Sequence, residues 1–161
     1  MEPKIVEINE LCLVGMNIRT SHAENRTFEL WSAFKPRVKE IANRVSQDFY
    51  SVQIFDKGSN FENFTPMTKF EKWAAVEVSD QEKPPDQMSI LIVPAGLYAV
   101  FIHHGLPSQF AATAAFIHGK WIPESEFEVG QRPHFDLMGP DYRHDDPNAQ
   151  EEIWVPIERK K

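Results

Sequence analysis

Phe70-Glu71-Lys72-Trp73-Ala74-Ala75-Val76-Glu77 and Glu151-Glu152-Ile153-Trp154-Val155-Pro156-Ile157-Glu158 occupy corresponding places in the two halves of this chain. Both read as strands, because apolar residues alternate with polar or aromatic ones at a period of two. Each ends a series of elements in the same order. In the first half, Lys4 to Thr20 reads as one long strand with two largely apolar faces. Thr27 to Arg44 follows as a helix, with Phe28, Trp31, Phe34, Val38 and Ile41 at steps of three and four and Pro36 as an interruption. Phe49 to Phe55 is a strand, 56–68 a polar loop, and Phe70 to Val78 the closing strand. Glu82-Lys83-Pro84-Pro85-Asp86 forms a hinge.

The second half repeats this order. Met88 to His103 is a long strand broken at Pro94-Ala95-Gly96. Pro107-Ser108 opens a helix whose inner face is Phe110, Thr113, Ala114 and Ile117, and Gly119 is expected to stop it. His134 to Met138 is a short strand, 139–150 an acidic loop, and Glu152 to Ile157 the last strand. A second, looser correspondence sets Leu13-Val14-Gly15-Met16 against Pro94-Ala95-Gly96-Leu97. The fold class is therefore α+β. One domain over 1–161 is built as a tandem βαββ pseudo-duplicate, with repeats of about 4–79 and 88–158. Two helices cover one face of an antiparallel sheet, and the other face is free to line a groove.

Composition removes several classes. The chain has 161 residues, 42% apolar and 25% charged, which suits a soluble globular domain. A single cysteine, Cys12, excludes an internal disulfide and thiol-rich zinc sites. With 17 basic and 24 acidic residues the formal charge is −7, which opposes direct nucleic-acid binding. No stretch reaches the roughly 18–20 apolar residues of a membrane span, and the N-terminus lacks a signal-peptide pattern, so the expected compartment is the cytoplasm. No cofactor fingerprint or catalytic elbow is present. His103 and His104 are adjacent and point to opposite faces of a strand, and no other histidines or acids stand at metal-ligand spacing.

On the last strand, Ile153, Val155 and Ile157 share one face and Glu152, Trp154 and Pro156 the other. Trp73, Ala75 and Glu77 share a parity, as do Tyr98, Val100 and Ile102. A carboxylate among aromatic rings suits cation capture, by charge pairing and by attraction to the ring quadrupole. The ordinary alternatives are an exposed strand carboxylate and tryptophans that belong to the core.

Three stretches carry a resemblance. Ile92-Val93-Pro94-Ala95-Gly96-Leu97-Tyr98-Ala99-Val100-Phe101, Trp121-Ile122-Pro123-Glu124-Ser125, and Phe135-Asp136 followed by Glu152-Ile153-Trp154-Val155-Pro156-Ile157 resemble motifs of the GyrI-like (SOUL-like) effector-binding domain family. The family occurs in AraC-type and MerR-type multidrug regulators and as free-standing proteins. Val14-Gly15, Arg19-Thr20 and Trp31 fit the same pattern, while Asp136 and Met138 depart from it on the pocket floor. The resemblance implies two strand–helix–strand–strand units around a groove for bulky, hydrophobic, often cationic small molecules. It places Glu152 as the groove glutamate, and Tyr98, Trp121, Trp154, Trp31 and Phe135 as its aromatic lining. It implies a stand-alone receptor, sequestering protein or regulator accessory, with no cofactor, no metal and no direct nucleic-acid contact. Two alternatives accompany it. One is a hydrolase of electrophilic, cyclopropanoid-type compounds, with Glu152 as general base and Tyr98 as hydrogen-bond donor. The other is a modulator that binds a protein such as DNA gyrase.

Overall fold

The computed structural model describes residues 2–161. The long N-terminal strand is two strands, β1 (Lys4–Ile8) and β2 (Leu11–Thr20), separated at Asn9-Glu10. Helix α1 (Thr27–Phe34) is shorter than its apolar periodicity implies. Pro36 stands at the start of the 3-10 segment Lys35–Glu40, where its missing N–H costs little. β3 (Phe49–Ile54) and β4 (Phe70–Glu77) complete the first half. The second half contains β5 (Ser89–Val93), β6 (Gly96–His104), α2 (Phe110–Phe116), β7 (Phe127–Val129), β8 (His134–Met138) and β9 (Gln150–Arg159).

Two local expectations need correction. Gly119 does not stop its helix, because it lacks the positive φ of a helix-ending glycine. The backbone runs on through a π turn, Ile117–Trp121, and a final helical turn, Ile122–Glu124. β7 escapes sequence reading because three residues hold too little alternation; it pairs with the far end of β9.

The breaks in the two long strands organise the sheet. Lys4 to Ile8 pair with Val100 to Gly96, and Leu11 to Gly15 pair with Val93 to Ser89, in the same register. Segment 4–20 therefore borders 89–104 on one side and β4 on the other. β4 pairs β3, β3 pairs β8, β8 pairs β9, and β9 pairs β6, so the antiparallel ladder closes into a ring. At each break the inward-facing parity switches. Ile8 and then Leu11 and Leu13 face the interior on one strand; Leu91 and Val93 and then Tyr98 do so on the other.

Three apolar clusters follow. The inner one joins Leu13, Tyr50, Val52, Trp73, Ala75, Val93, Tyr98 and Phe135, with Trp154 and Leu137 packed against it. Outside the ring, Leu30 and Phe34 of α1 pack on Val14, Ala74 and Val76. Ile117 and Ile122 beyond α2 pack on Phe101, Ile153, Val155 and Ile157. The two helices thus cover the outer face, one over each half.

The strand correspondence around Trp73 and Trp154 holds in space. Trp73 lies opposite Asn17 and Val52, and Trp154 lies opposite Val100 and Phe135. Counting from those pairs, the residue matching Gly15 is Tyr98 rather than Gly96, so the looser correspondence is displaced by two residues. A Cβ on Gly15 would lie 2.0 Å from the Ala74 carbonyl oxygen, which backbone rather than a flexible side chain supplies. Gly15→Ala is expected to destabilise the fold by about 3 kcal/mol or more, or to prevent folding. Urea unfolding of the purified variant measures it; a loss near zero would show that β2 and β4 can separate freely.

Candidate functional site

The inner face of β6, β9 and β8 is built in rows. Ile102, Glu152 and Leu137 form one row. Val100, Trp154 and Phe135 form the next, and Tyr98 and Pro156 lie beyond. Alternation along β9 fixes this arrangement: Ile153, Val155 and Ile157 pack beneath the helical layer, which turns Glu152 and Trp154 inward.

The rings pack closely. Phe135 stacks on Trp154 at 5.1 Å with 18° between planes. Tyr98 lies 5.3 Å from Phe135 and 5.8 Å from Trp154. Tyr50 meets Phe135 from the other side at 5.3 Å. The Trp154 indole N–H donates to Glu152 at 3.1 Å, holding the carboxylate at the rim of this aromatic cluster. The Tyr98 hydroxyl donates to the Pro133 carbonyl at 2.7 Å, and burial pushes its pKa up to about 12.

Open space lies at the Glu152 end. A cleft of about 300 Å³ is lined by Asp48, Glu151, Glu152, Ile102, Leu137, Gly139 and Gln150. Its lining contains three carboxylates and no basic side chain. The rest of the inner face is filled by its own rings, with Tyr98 and Phe135 almost fully buried.

The first half carries a copy of the same device. The Trp73 indole N–H donates to Glu71 at 2.7 Å. Glu71, however, lies opposite Arg19, a cation that forms an ion pair with Asp56. Glu152 lies opposite Ile102. The carboxylate in the second half is thus the one without a cross-strand cation. Sequence reasoning did not single out Glu71; the signal was present, since the correspondence of the two strands sets Glu71 where Glu152 stands.

The structure brings Glu152, Trp154, Tyr98 and Phe135 together, and separates Trp121 and Trp31 from them. Trp121 packs on Phe101 at 5.4 Å and Phe127 at 6.3 Å in the outer cluster beyond α2. Trp31 packs on Phe34 and Phe49 in the outer cluster beneath α1. Both are walls of helix–sheet layers rather than of the inner face. Asp136 is also outside the ring, opposite Ser51 and Ile153, so it forms no part of the groove floor.

Asp136 instead belongs to a charged band between the two helical layers. Burial, with Glu151 nearby, holds its carboxyl well above the ordinary range, while Lys72 acts in the opposite sense. Burial likewise raises Glu151 and lowers Lys72. Among the described residues no group of three or more His, Cys, Asp or Glu is placed to hold a metal ion, and no helix is long and apolar enough to cross a membrane.

Comparison with known proteins now bears on this geometry. A family model for the GyrI-like small molecule binding domain matches residues 1–158. The chain belongs to this family. The GyrI-like domain is 30% identical over 158 residues to the transcriptional regulator BrlR of Pseudomonas aeruginosa, covering 98% of this chain and 56% of the regulator. Its fold is similar to the C-terminal domain of EcmrR, with a TM-score of 0.73 at 14% identity over 99% of this chain and 98% of that one. It is also similar to SAV2435 bound to tetraphenylphosphonium, with a TM-score of 0.67 at 17% identity over 98% and 94% of the two chains.

The charged band outside the GyrI-like groove has a measurable signature. A carboxyl with a raised folded pKa keeps its proton in the folded state after the unfolded chain has released it, so its contribution to stability falls as pH rises. Asp136→Asn is therefore expected to gain stability relative to the wild type between pH 5 and pH 8. The buried histidines affect both proteins alike and drop out of the difference. Urea midpoints of the two proteins across that range test it; a difference that stays constant with pH would show that Asp136 ionises normally.

Proposed function

We propose that this GyrI-like domain binds bulky, hydrophobic cations, with Glu152 reading the charge and Trp154, Phe135 and Tyr98 supplying aromatic surface. The observation that carries the reading is the pairing of an uncompensated carboxylate with an indole that orients it. Glu152 accepts from Trp154, faces Ile102 rather than a basic residue, and opens on a cleft bordered by two further carboxylates. A cation there gains charge-assisted contact and ring quadrupole attraction together. The first-half copy supports the same chemistry, because there the chain supplies its own cation, Arg19, opposite Glu71. The tetraphenylphosphonium held by SAV2435 is a ligand of this class on a similar fold. In a cell the domain would act as a receptor or sequestering protein, or as an accessory to a regulator.

The geometry favours binding over hydrolysis. Glu152 and Tyr98 lie two rows apart on the inner face, roughly 13 Å along β6 at about 3.3 Å per residue. The Tyr98 hydroxyl is committed to the Pro133 carbonyl, away from Glu152. The two do not converge on one reacting atom, which a base and an oxyanion donor must do.

Replacing Glu152 with Gln keeps the shape and removes the charge. Affinity for tetraphenylphosphonium should fall by about tenfold or more, while a size-matched neutral such as tetraphenylmethane derivatised for solubility should lose little. Tryptophan fluorescence reports binding through Trp154 and Trp73. Equal losses for both ligands would show that Glu152 does not read charge.

A further inference from the structure

We infer that the groove has a second pole, an acceptor-binding one formed by Arg132, and that its preferred ligands carry an anionic or strongly hydrogen-bond-accepting group in addition to their cationic centre. This rests on the reading that the groove binds ligands of the cationic class. It adds a position and a chemistry that Glu152 does not provide.

Arg132 precedes β8 and reaches to the end of the inner face opposite Glu152. Its guanidinium lies over the Tyr98 ring, with Cζ 4.7 Å from the centroid. Nη2 donates to the Leu97 carbonyl at 2.6 Å and to the Ile157 carbonyl at 3.1 Å, which ties the group to β6 and β9. Nη1 is buried and has no hydrogen-bond partner. Among the described residues Arg132 takes part in no ion pair, whereas Arg19, Arg26, Arg37, Arg143 and Arg159 each face a carboxylate. Gly96 leaves the room that the guanidinium itself occupies. A Cβ on Gly96 would lie 2.5 Å from Cζ and from Nη1.

A guanidinium held in place by one nitrogen, with its other terminal nitrogen buried and unsatisfied, carries a desolvation cost at that atom that an incoming acceptor would offset. The N–H bonds of Nη1 suit an anionic acceptor such as a carboxylate or a sulfonate, while Nη2 stays tied to the two backbone carbonyls. From the carbonyl of Ile157 back to Glu152 is five residues of β9, roughly 16 Å at about 3.3 Å each. The rings of Tyr98, Phe135 and Trp154 fill that span. The groove is thus dipolar: acid at the open end, aromatic in the middle, basic at the closed end. An aromatic ligand with both charges, aligned along β9, matches all three.

The test compares rhodamine B, a xanthylium cation bearing a free carboxylate, with its ethyl ester, the same cation with the carboxylate masked. Fluorescence anisotropy at pH 7.5 on the full chain should show rhodamine B bound at least tenfold more tightly. Arg132→Gln should bring that ratio close to one, and Arg132→Lys should restore part of it. Equal affinities in the wild type, or a ratio that survives in Arg132→Gln, would overturn the acceptor pole while leaving the cation reading intact. Failure of both dyes to bind the wild type would overturn both. Because the wild-type ratio is decisive alone, a variant that fails to fold does not rescue the idea.

Discussion

The hydrogen bond from the Trp154 indole to Glu152 joins the two demands this molecule has to meet. A ladder that closes on itself encloses its inner face, and every polar group there needs a partner. Four bonds serve the polar atoms of the interior rings. Trp154 donates to Glu152, Trp73 to Glu71, Tyr50 to Glu77 and Tyr98 to the Pro133 carbonyl. Three of the acceptors are carboxylates. Both indoles and Tyr50 are thus satisfied by carboxylates and Tyr98 by a backbone carbonyl, and the arrangement that satisfies the Trp154 indole holds a carboxylate at the edge of an aromatic interior. On the proposed reading, packing and ligand chemistry share this one interaction.

The interior holds two such devices, one in each half, and they differ in what stands opposite the carboxylate. In the first half the position matching Tyr98 is Gly15, where backbone of β4 comes so close that no side chain fits. The row beyond holds Arg19 beside Glu71, and Asp56 fixes that arginine in turn. The first half thus has no ring surface at Gly15, and its carboxylate faces the chain's own cation. In the second half Tyr98 gives ring surface where Gly15 gives none, and Ile102 leaves Glu152 uncompensated. The cleft lies at the carboxylate of the second half.

Much of this was legible in the sequence because β9 alternates cleanly. Ile153, Val155 and Ile157 could only be the packed face, which left Glu152 and Trp154 for the other. The break at Pro94-Ala95-Gly96 was legible for the same local reason, since proline and glycine interrupt a ladder. What the sequence did not disclose is how the strand breaks redirect the faces. The parity switch between Ile8 and Leu11, and again between Val93 and Tyr98, follows from ring closure, which is a property of the whole ladder. Trp121 and Trp31 illustrate the limit. Each sits in a helical segment that is apolar on its inner side, and helical periodicity says that a tryptophan is covered without saying which layer covers it. Arg132 was invisible to sequence because its importance lies in a missing partner, and a missing partner exists only in three dimensions.

The closed packing of the inner rings bears on which molecules such a groove can accept. The open cleft, at about 300 Å³, lies at the lower bound of small-molecule pockets. On the proposed reading, a ligand that reaches deeper than this cleft parts Trp154 from Phe135, which stack at 5.1 Å. Parting two stacked rings forfeits their dispersion contacts and any preference of about 0.5–1.5 kcal/mol for the pair itself. An aromatic ligand restores those contacts ring for ring as it slides between them. A branched aliphatic cation of equal volume restores fewer and leaves gaps on both ring faces. The opening free energy lowers the apparent affinity of every ligand by the same factor, while the recovery differs between them. On the proposed reading, aromatic groups are favoured over aliphatic ones by the packing of the resting state, whatever the shape of the molecule that carries them.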